Sequence, residues 1–320
     1  MYPSLASLGR SNRSCRPGAI FLRTAALALL LTPGFAQINT VQTLTPDVFF
    51  HEGDPRRGHA NNGWVIFDEY VLVVDANYPS GVAEVMPKVK ASSQKPVGFV
   101  VDTHHHSDHS FGNEAWAAEG ATIVAHQAVL EILRQNGASD WQSSAARRPD
   151  VAATKLRLPS VVYPDALVFD DGHHRVELHW FGVAHTRGDT FLWLPKEKIL
   201  FTGDACVNGP NNNMREGDSG EWIKTLERAK QLGAEKICPG HGPMGGPEIL
   251  ENQQAYFIAL RREVQKLVDA KKTPAEVKAA APEIVAEIKK DARAARYVQP
   301  NPLGHIEKVY VELGGQPLPK

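Results

Sequence analysis

Cysteine is scarce in this chain, with three residues in 320: Cys15, Cys206 and Cys238. So few thiols leave at most one disulfide in any mature form, between Cys206 and Cys238, and two buried free thiols serve the sequence as well. A surplus of one charge is also lacking: 35 Lys and Arg stand against 36 Asp and Glu, a formal net charge of −1. Without a basic excess there is no electrostatic footprint for nucleic acid. Internal repeats and low-complexity tracts are absent too, which leaves out solenoids and arrays. The strongest apolar run, residues 25–31, is too short to span a bilayer as a helix. What remains is a chain long enough for one large α/β domain, with a small molecule as its expected partner.

The first 36 residues carry Arg10, Arg13, Arg16 and Arg23 and no acid. Arginines, a short apolar run and small residues near Ala36 form the pattern of a cleaved secretory signal. Its removal would take the formal charge from −1 to −5. The expected product is periplasmic or secreted, with no membrane span in the mature form. No feature of the sequence fixes its oligomeric state.

The densest chemistry lies at 104–109, which reads His-His-His-Ser-Asp-His. His104, His106, Asp108 and His109 crowd potential metal donors into a single turn of chain, enough for two adjacent cations. The run follows an apolar stretch, 96–103, that reads as a buried strand, and precedes a helix expected at 111–119. A terminal tag would lack both the Asp and this setting. Three later segments repeat the arrangement of a strand ending in a donor. His185 begins His-Thr-Arg-Gly-Asp, Asp204 ends Thr-Gly-Asp, and His241 lies in Pro-Gly-His-Gly.

The four motifs in this order resemble the metallo-β-lactamase superfamily, over about 45–260. The resemblance implies an α/β four-layer αββα sandwich, two mixed sheets flanked by helices. It further implies two zinc ions, with iron or manganese as alternatives. His104, His106 and His185 would hold one ion, and Asp108, His109 and His241 the other. Asp204 would bridge them, and a shared hydroxide would be the nucleophile, with no Ser or Cys required. Asp108 and Asp204 are then the catalytic carboxylates.

Around this set, Asp75 ends a strand where the family places a supporting acid, and Asp189 either orients a ligand or closes its own turn. His105 alternates with the ligands and is expected to pack. His126 reads as a core or capping residue, and His51, His173, His174, His179 and His305 as loop or surface residues. Two loops should face the metals. Residues 51–63 would form a flap offering Arg56, Arg57 and His59, and 208–217 would offer Asn211 and Arg215 as substrate contacts.

The expected organisation is a leader at 1–36, an αββα core at 37–246 and a helical extension at 247–320 packed on it. Within the core, strands are expected at 41–52 and 63–76, then a helix at 80–91 that Pro87 ends or kinks. Residues 137–160 read as an irregular polar excursion over the site. The extension reads as helices at 249–270, from Thr273, and at 283–296.

The reading that follows is an exported dizinc hydrolase acting on an activated acyl bond: a lactone, thioester, ester or β-lactam. A class B-like β-lactamase is the named alternative. Against it, lactamases of the family usually carry Cys or Ser where Asp204 stands, and Val207 replaces a lysine that holds the drug carboxylate. From another class, a non-hydrolytic di-iron or metal-binding protein is the competing reading.

Overall fold

The computed structural model describes residues 38–210 and 212–318. The expected leader and Asn211 lie outside the described residues. The chain runs β1 (Val41–Thr45), β2 (Val48–His51), β3 (Asn62–Ile66), β4 (Val71–Val74), α1 (Pro79–Ser92) and β5 (Val97–Asp102). It continues through α2 (Ser107–Ser110), α3 (Asn113–Ala118), β6 (Thr122–His126), α4 (Gln127–Ala145), α5 (Pro149–Ala152) and β7 (Val161–Tyr163). Then come β8 (Ala166–Asp170), β9 (Arg175–His179), β10 (Phe191–Leu194), β11 (Ile199–Gly203), α6 (Ser219–Lys230) and β12 (Lys236–Pro239). Five helices follow: α7 (Glu248–Asp269), α8 (Pro274–Ala279), α9 (Ala281–Ile288), α10 (Ala292–Ala295) and α11 (Leu303–Glu312).

The strands form a seven-stranded sheet, ordered β1 to β7, and a five-stranded sheet, ordered β12-β11-β10-β9-β8. Both are mixed. In the first, β1 to β4 pair antiparallel and β4 to β7 parallel; in the second only β11 and β12 are parallel. Helices cover both outer faces, giving the αββα sandwich.

Period-two alternation explains the layers, because successive strand residues face opposite sides. In β4, Leu72 and Val74 point between the sheets, while Val71 and Val73 point outward to Val82, Val85 and Val89 of α1. In β10, Leu192 and Leu194 face inward, whereas Phe191 and Trp193 join the outer cluster with Trp222 and Phe257. Each such side chain contributes about 1.5–3 kcal/mol on full burial. Apolar residues on both faces are why these strands read as continuous hydrophobic runs.

Several boundaries differ from the sequence expectation. The strands expected at 41–52 and 63–76 are each a hairpin, β1–β2 and β3–β4. Helix α1 passes through Pro87 to Ser92, with that ring on its exposed side. Much of the excursion expected at 137–160 is helical: α4 extends to Ala145 because Trp141 packs on Phe111, ring centroids 4.8 Å apart. The helix expected at 111–119 is the shorter α3, a separate turn of helix, α2, lies within the ligand motif before it, and α11 was not foreseen. Helices α7 to α11 share one apolar cluster with the outer face of β10–β12. Among the described residues, no helix is long and apolar enough to cross a membrane.

Candidate metal centre

The motif residues meet because each follows a strand that ends at the same edge of the sandwich. Strand β5 delivers His104 to His106, and the turn of α2 carries Asp108 and His109. His185 lies between β9 and β10, Asp204 follows β11, and His241 follows β12. Two glycines permit the approach. Gly203 has φ +48°, and a Cβ there would lie 2.3 Å from Thr103 Oγ1. At Gly240 a Cβ would lie 2.1 Å from Asp204 Oδ1, so the backbone of the β12 turn can back onto that carboxylate only without a side chain.

Donor atoms converge in neighbouring groups. One ligand atom from each of His104, His106 and His185 lies within 4.8 Å of the others, and the same holds for Asp108, His109 and His241. Asp204 stands between the two. Its Oδ2 is 3.7 Å from His185 Nε2 and 3.5 Å from His241 Nε2, and its Oδ1 is 3.4 Å from His109 Nε2. His241 Nε2 also sits 3.1 Å from Asp108 Oδ2.

The outward nitrogens show what the inward ones are free to do. His109 Nδ1 lies 2.8 Å from Asp75 Oδ2, and His185 Nδ1 2.8 Å from the Asn213 carbonyl. His104 Nδ1 is 3.2 Å from Thr103 Oγ1, a hydroxyl whose proton already goes to Asp75. Each partner accepts, so these rings donate outward and turn a lone pair inward. His104 Nε2 and Asp204 Oδ1 are buried without a hydrogen-bond partner. His185 Nε2 and His106 Nδ1 face one another at 2.9 Å. Buried lone pairs aimed at one another are costly unless a cation lies among them. The residues present therefore fit a pair of divalent ions.

Electrostatics agree. Burial opposes a charge on His109, yet the carboxylates of Asp75, Asp204 and Asp108 outweigh it and hold its pKa up at about 10, so an ion bound there would displace that ring's inward proton. Burial opposes the charge of Asp108 too, and His109 and His241 together drive its pKa far down. Burial drives His185 down to about 3, leaving it a neutral donor ring. The pocket's negative field thus draws a positive charge to the centre.

Asp75 lies against the donor cluster through His109. It adopts φ +62°, and its carboxylate accepts from Thr103 N at 2.7 Å as well as from His109. Asp189 instead accepts from the amide and hydroxyl of Thr186, closing the turn after His185, and burial raises its pKa to about 7. His126 caps α4. Cys206 and Cys238 are both free and buried.

The substrate contacts divide. His59 lines a cleft of about 310 Å³ together with Glu52, Asn61, Val207, Asn208 and His241. Arg56 does not line it: its guanidinium folds onto Asp54 through Nε and Nη2, at 3.1 Å each. Nor is the 51–63 segment a free flap. Gly53 N donates to Asn61 Oδ1, and Asn61 Nδ2 donates to the carbonyls of Pro239 and Gly242, lacing it to the His241 turn.

Arg215 is largely exposed, 3.5 Å from Glu216. Glu216 itself escaped the sequence reading. Its Oε2 lies 2.9 Å from His105 Nε2 and its Oε1 3.4 Å from His106 Nε2, so it supports His106 from behind. His105 is buried edge-on to His104 and His106, as packing requires, and has Glu216 as a polar partner besides. The loop bearing Asp204 is held from the other side. Trp222 Nε1 and Gln253 Nε2 both donate to the Ala205 carbonyl, and Tyr297 donates its hydroxyl proton to the Val207 carbonyl.

A family model described as the metallo-beta-lactamase superfamily matches residues 56–241. Among curated proteins, the metallo-beta-lactamase type 2 of Bacteroides fragilis is 27% identical over 198 residues, 59% of this chain and 75% of that protein. The 2,4-dinitroanisole O-demethylase subunit alpha of Nocardioides sp. (strain JS1661) is 26% identical, and the chain spans 54% of itself and 50% of that subunit. The hydroxyacylglutathione hydrolase of Rhodobacter capsulatus is 28% identical over 57% of this chain and 62% of that enzyme. The solved metallo-beta-lactamase from Pontibacter korlensis superposes with a TM-score of 0.58 at 22% identity, covering 68% of this chain and 98% of that one.

Proposed function

The chain belongs to the metallo-beta-lactamase superfamily, and from that premise we propose that it is a zinc-dependent hydrolase of activated acyl bonds in small molecules. One observation carries the reading: His104 Nε2 and Asp204 Oδ1 are buried without a hydrogen-bond partner at the point where five further donor residues converge. His104, His106 and His185 would hold one ion, Asp108, His109 and His241 a second, and Asp204 both. Bound there, the ions would supply Lewis acidity, activating water and polarising a carbonyl oxygen.

The chain's own residues then set the geometry. Asp75, Asn213 and Glu216 hold the rings from outside, so the donor atoms need no reorganisation when the ions arrive. Asp108, with a partly exposed carboxylate at the edge of the centre, is placed to take a proton on Oδ1 while Oδ2 engages His241. The cleft beside His241 admits a small substrate past the His59 ring.

Zinc-loaded protein is to be assayed on lactones, thioesters, esters, β-lactams and phosphodiesters. We expect turnover of an acyl substrate that Asp204→Ala abolishes in a chain that remains folded by circular dichroism. Turnover of β-lactams above all others would select the lactamase reading, which the curated relatives named metallo-beta-lactamase type 2 favour. Bound iron without any hydrolysis would refute the proposal in favour of a redox or metal-binding protein. The reading includes export, checked by N-terminal sequencing of protein recovered outside the cytoplasm.

A further inference from the structure

We propose a separate, structural zinc site at the opposite end of the sandwich, built by Asp47, His173 and His174. The metal centre occupies the end of the sandwich where β4, β5 and β11 finish. The turns before those strands lie at the other end, and there the two sheets bring together an unrelated set of donors. Asp47 sits in the β1–β2 turn of the larger sheet, and His173 and His174 in the β8–β9 turn of the smaller. One ligand atom from each lies within 4.8 Å of the other two.

The geometry around His174 is that of a supported ligand. Its Nδ1 lies 3.3 Å from Oε1 of Glu197, in the β10–β11 turn, and both side chains are only 7% exposed. A buried carboxylate on one ring nitrogen fixes the tautomer and turns the other nitrogen's lone pair outward, as behind metal-bound histidines. That second nitrogen, Nε2, faces Asp47 Oδ2 at 3.4 Å. A lone pair against an anion repels unless a proton or a metal cation joins them. Two ligands at about 2.0–2.1 Å from a tetrahedral zinc stand about 3.3 Å apart, which this separation matches.

The exposed His173 ring lies stacked on that of His174, with centroids 4.5 Å apart, and must turn off it to share an ion with His174 and Asp47. Asp171 Oδ1 accepts from the amides of both histidines, and its Oδ2 from that of Asp68, which shapes the turn without using the proposed ligands. Asp68 Oδ1 stands 3.9 Å from His173 Nδ1. Glu197 Oε2 is buried with no hydrogen-bond partner, an uncompensated negative atom beside the cluster. The nearby cation, Lys196, reaches the His173 carbonyl rather than these carboxylates. Two imidazoles and a carboxylate select a borderline transition ion such as zinc over calcium or magnesium. An ion here would bolt a turn of one sheet to a turn of the other.

The test uses the full chain, titrated with zinc alone. Bound metal is counted after gel filtration, and melting is followed as zinc is added. In the Asp204→Ala background, which weakens the main centre, zinc should still bind one further site and raise the melting temperature. Adding His173→Ala and Asp47→Asn, both exposed positions, should remove one zinc per chain and abolish that rise. In the otherwise unaltered chain the same pair should leave hydrolysis intact. Equal zinc content with and without these substitutions overturns the proposal, whatever becomes of hydrolysis. Should the double variant lose its fold by circular dichroism, Asp47→Asn alone decides on the same count.

Discussion

His109 and Asp75 are joined by a 2.8 Å contact between Nδ1 and Oδ2, and the backbone of Asp75 is left-handed at φ +62° to make it. A non-glycine residue rarely adopts that conformation without compensation. Here the compensation is a carboxylate that receives His109 and both polar groups of Thr103.

Replacing Asp75 by Asn keeps the shape and removes the charge. Zinc affinity of the Asp108, His109 and His241 group should fall by about 10–100-fold, the usual cost of losing such a partner. Competition with a chromophoric chelator measures it. Unaltered affinity would mean that Asp75 serves the backbone alone.

Glu216→Gln should weaken metal held by His104, His106 and His185 by about tenfold or more, because it removes the acceptor behind His106. Arg215→Ala is the matched control and should change little, its side chain being largely exposed. Isothermal titration with zinc compares the pair, and equal losses in both would reject the assignment.

Gly240→Ala places a methyl group 2.1 Å from Asp204 Oδ1. Strain of about 1–3 kcal/mol is expected, together with loss of turnover as the carboxylate is displaced. Chemical denaturation and an activity assay report the two effects separately.

The seven donor residues were legible because each ends an apolar run, so that burial and chemistry mark the same place. Their supports were less so. Glu216 lies in a polar loop whose composition says nothing of where it folds, and only the structure shows it behind His105 and His106. Asp189 was ambiguous in sequence because an acid in a Gly turn suits either role, and its bonds to Thr186 settle on the turn. The length of α4 was hidden because its last turns are polar, and the anchor, Trp141 on Phe111, is a tertiary contact. Arg56 looked free for substrate because its pairing with Asp54, two residues before it, requires the local 3-10 turn at Pro55–Arg57.

A pH dependence follows from His305, far along the chain in α11. Burial holds its pKa down from 6.5 to about 4, and Tyr256 contacts its Nδ1 at 2.8 Å. Between those values the unfolded chain takes up the proton and the folded one does not. Stability is therefore complete above about pH 6.5 and falls as pH drops towards 4, by about 3 kcal/mol from this residue. His305→Gln should flatten that part of the slope in denaturant unfolding at pH 7 and pH 5. An unchanged slope would assign the acid sensitivity to other groups.

The clamp of Trp222, Gln253 and Tyr297 on the carbonyls of Ala205 and Val207 makes the scaffold one-sided. Behind Asp204, α6, α7 and the turn after α10 hold the main chain, and exchanges there disturb the anchorage before they touch selectivity. In front, cleft-lining side chains such as His59 and Pro210 can vary while every donor stays anchored. New substrate preferences can arise by altering that rim, with the ion-holding framework inherited unchanged.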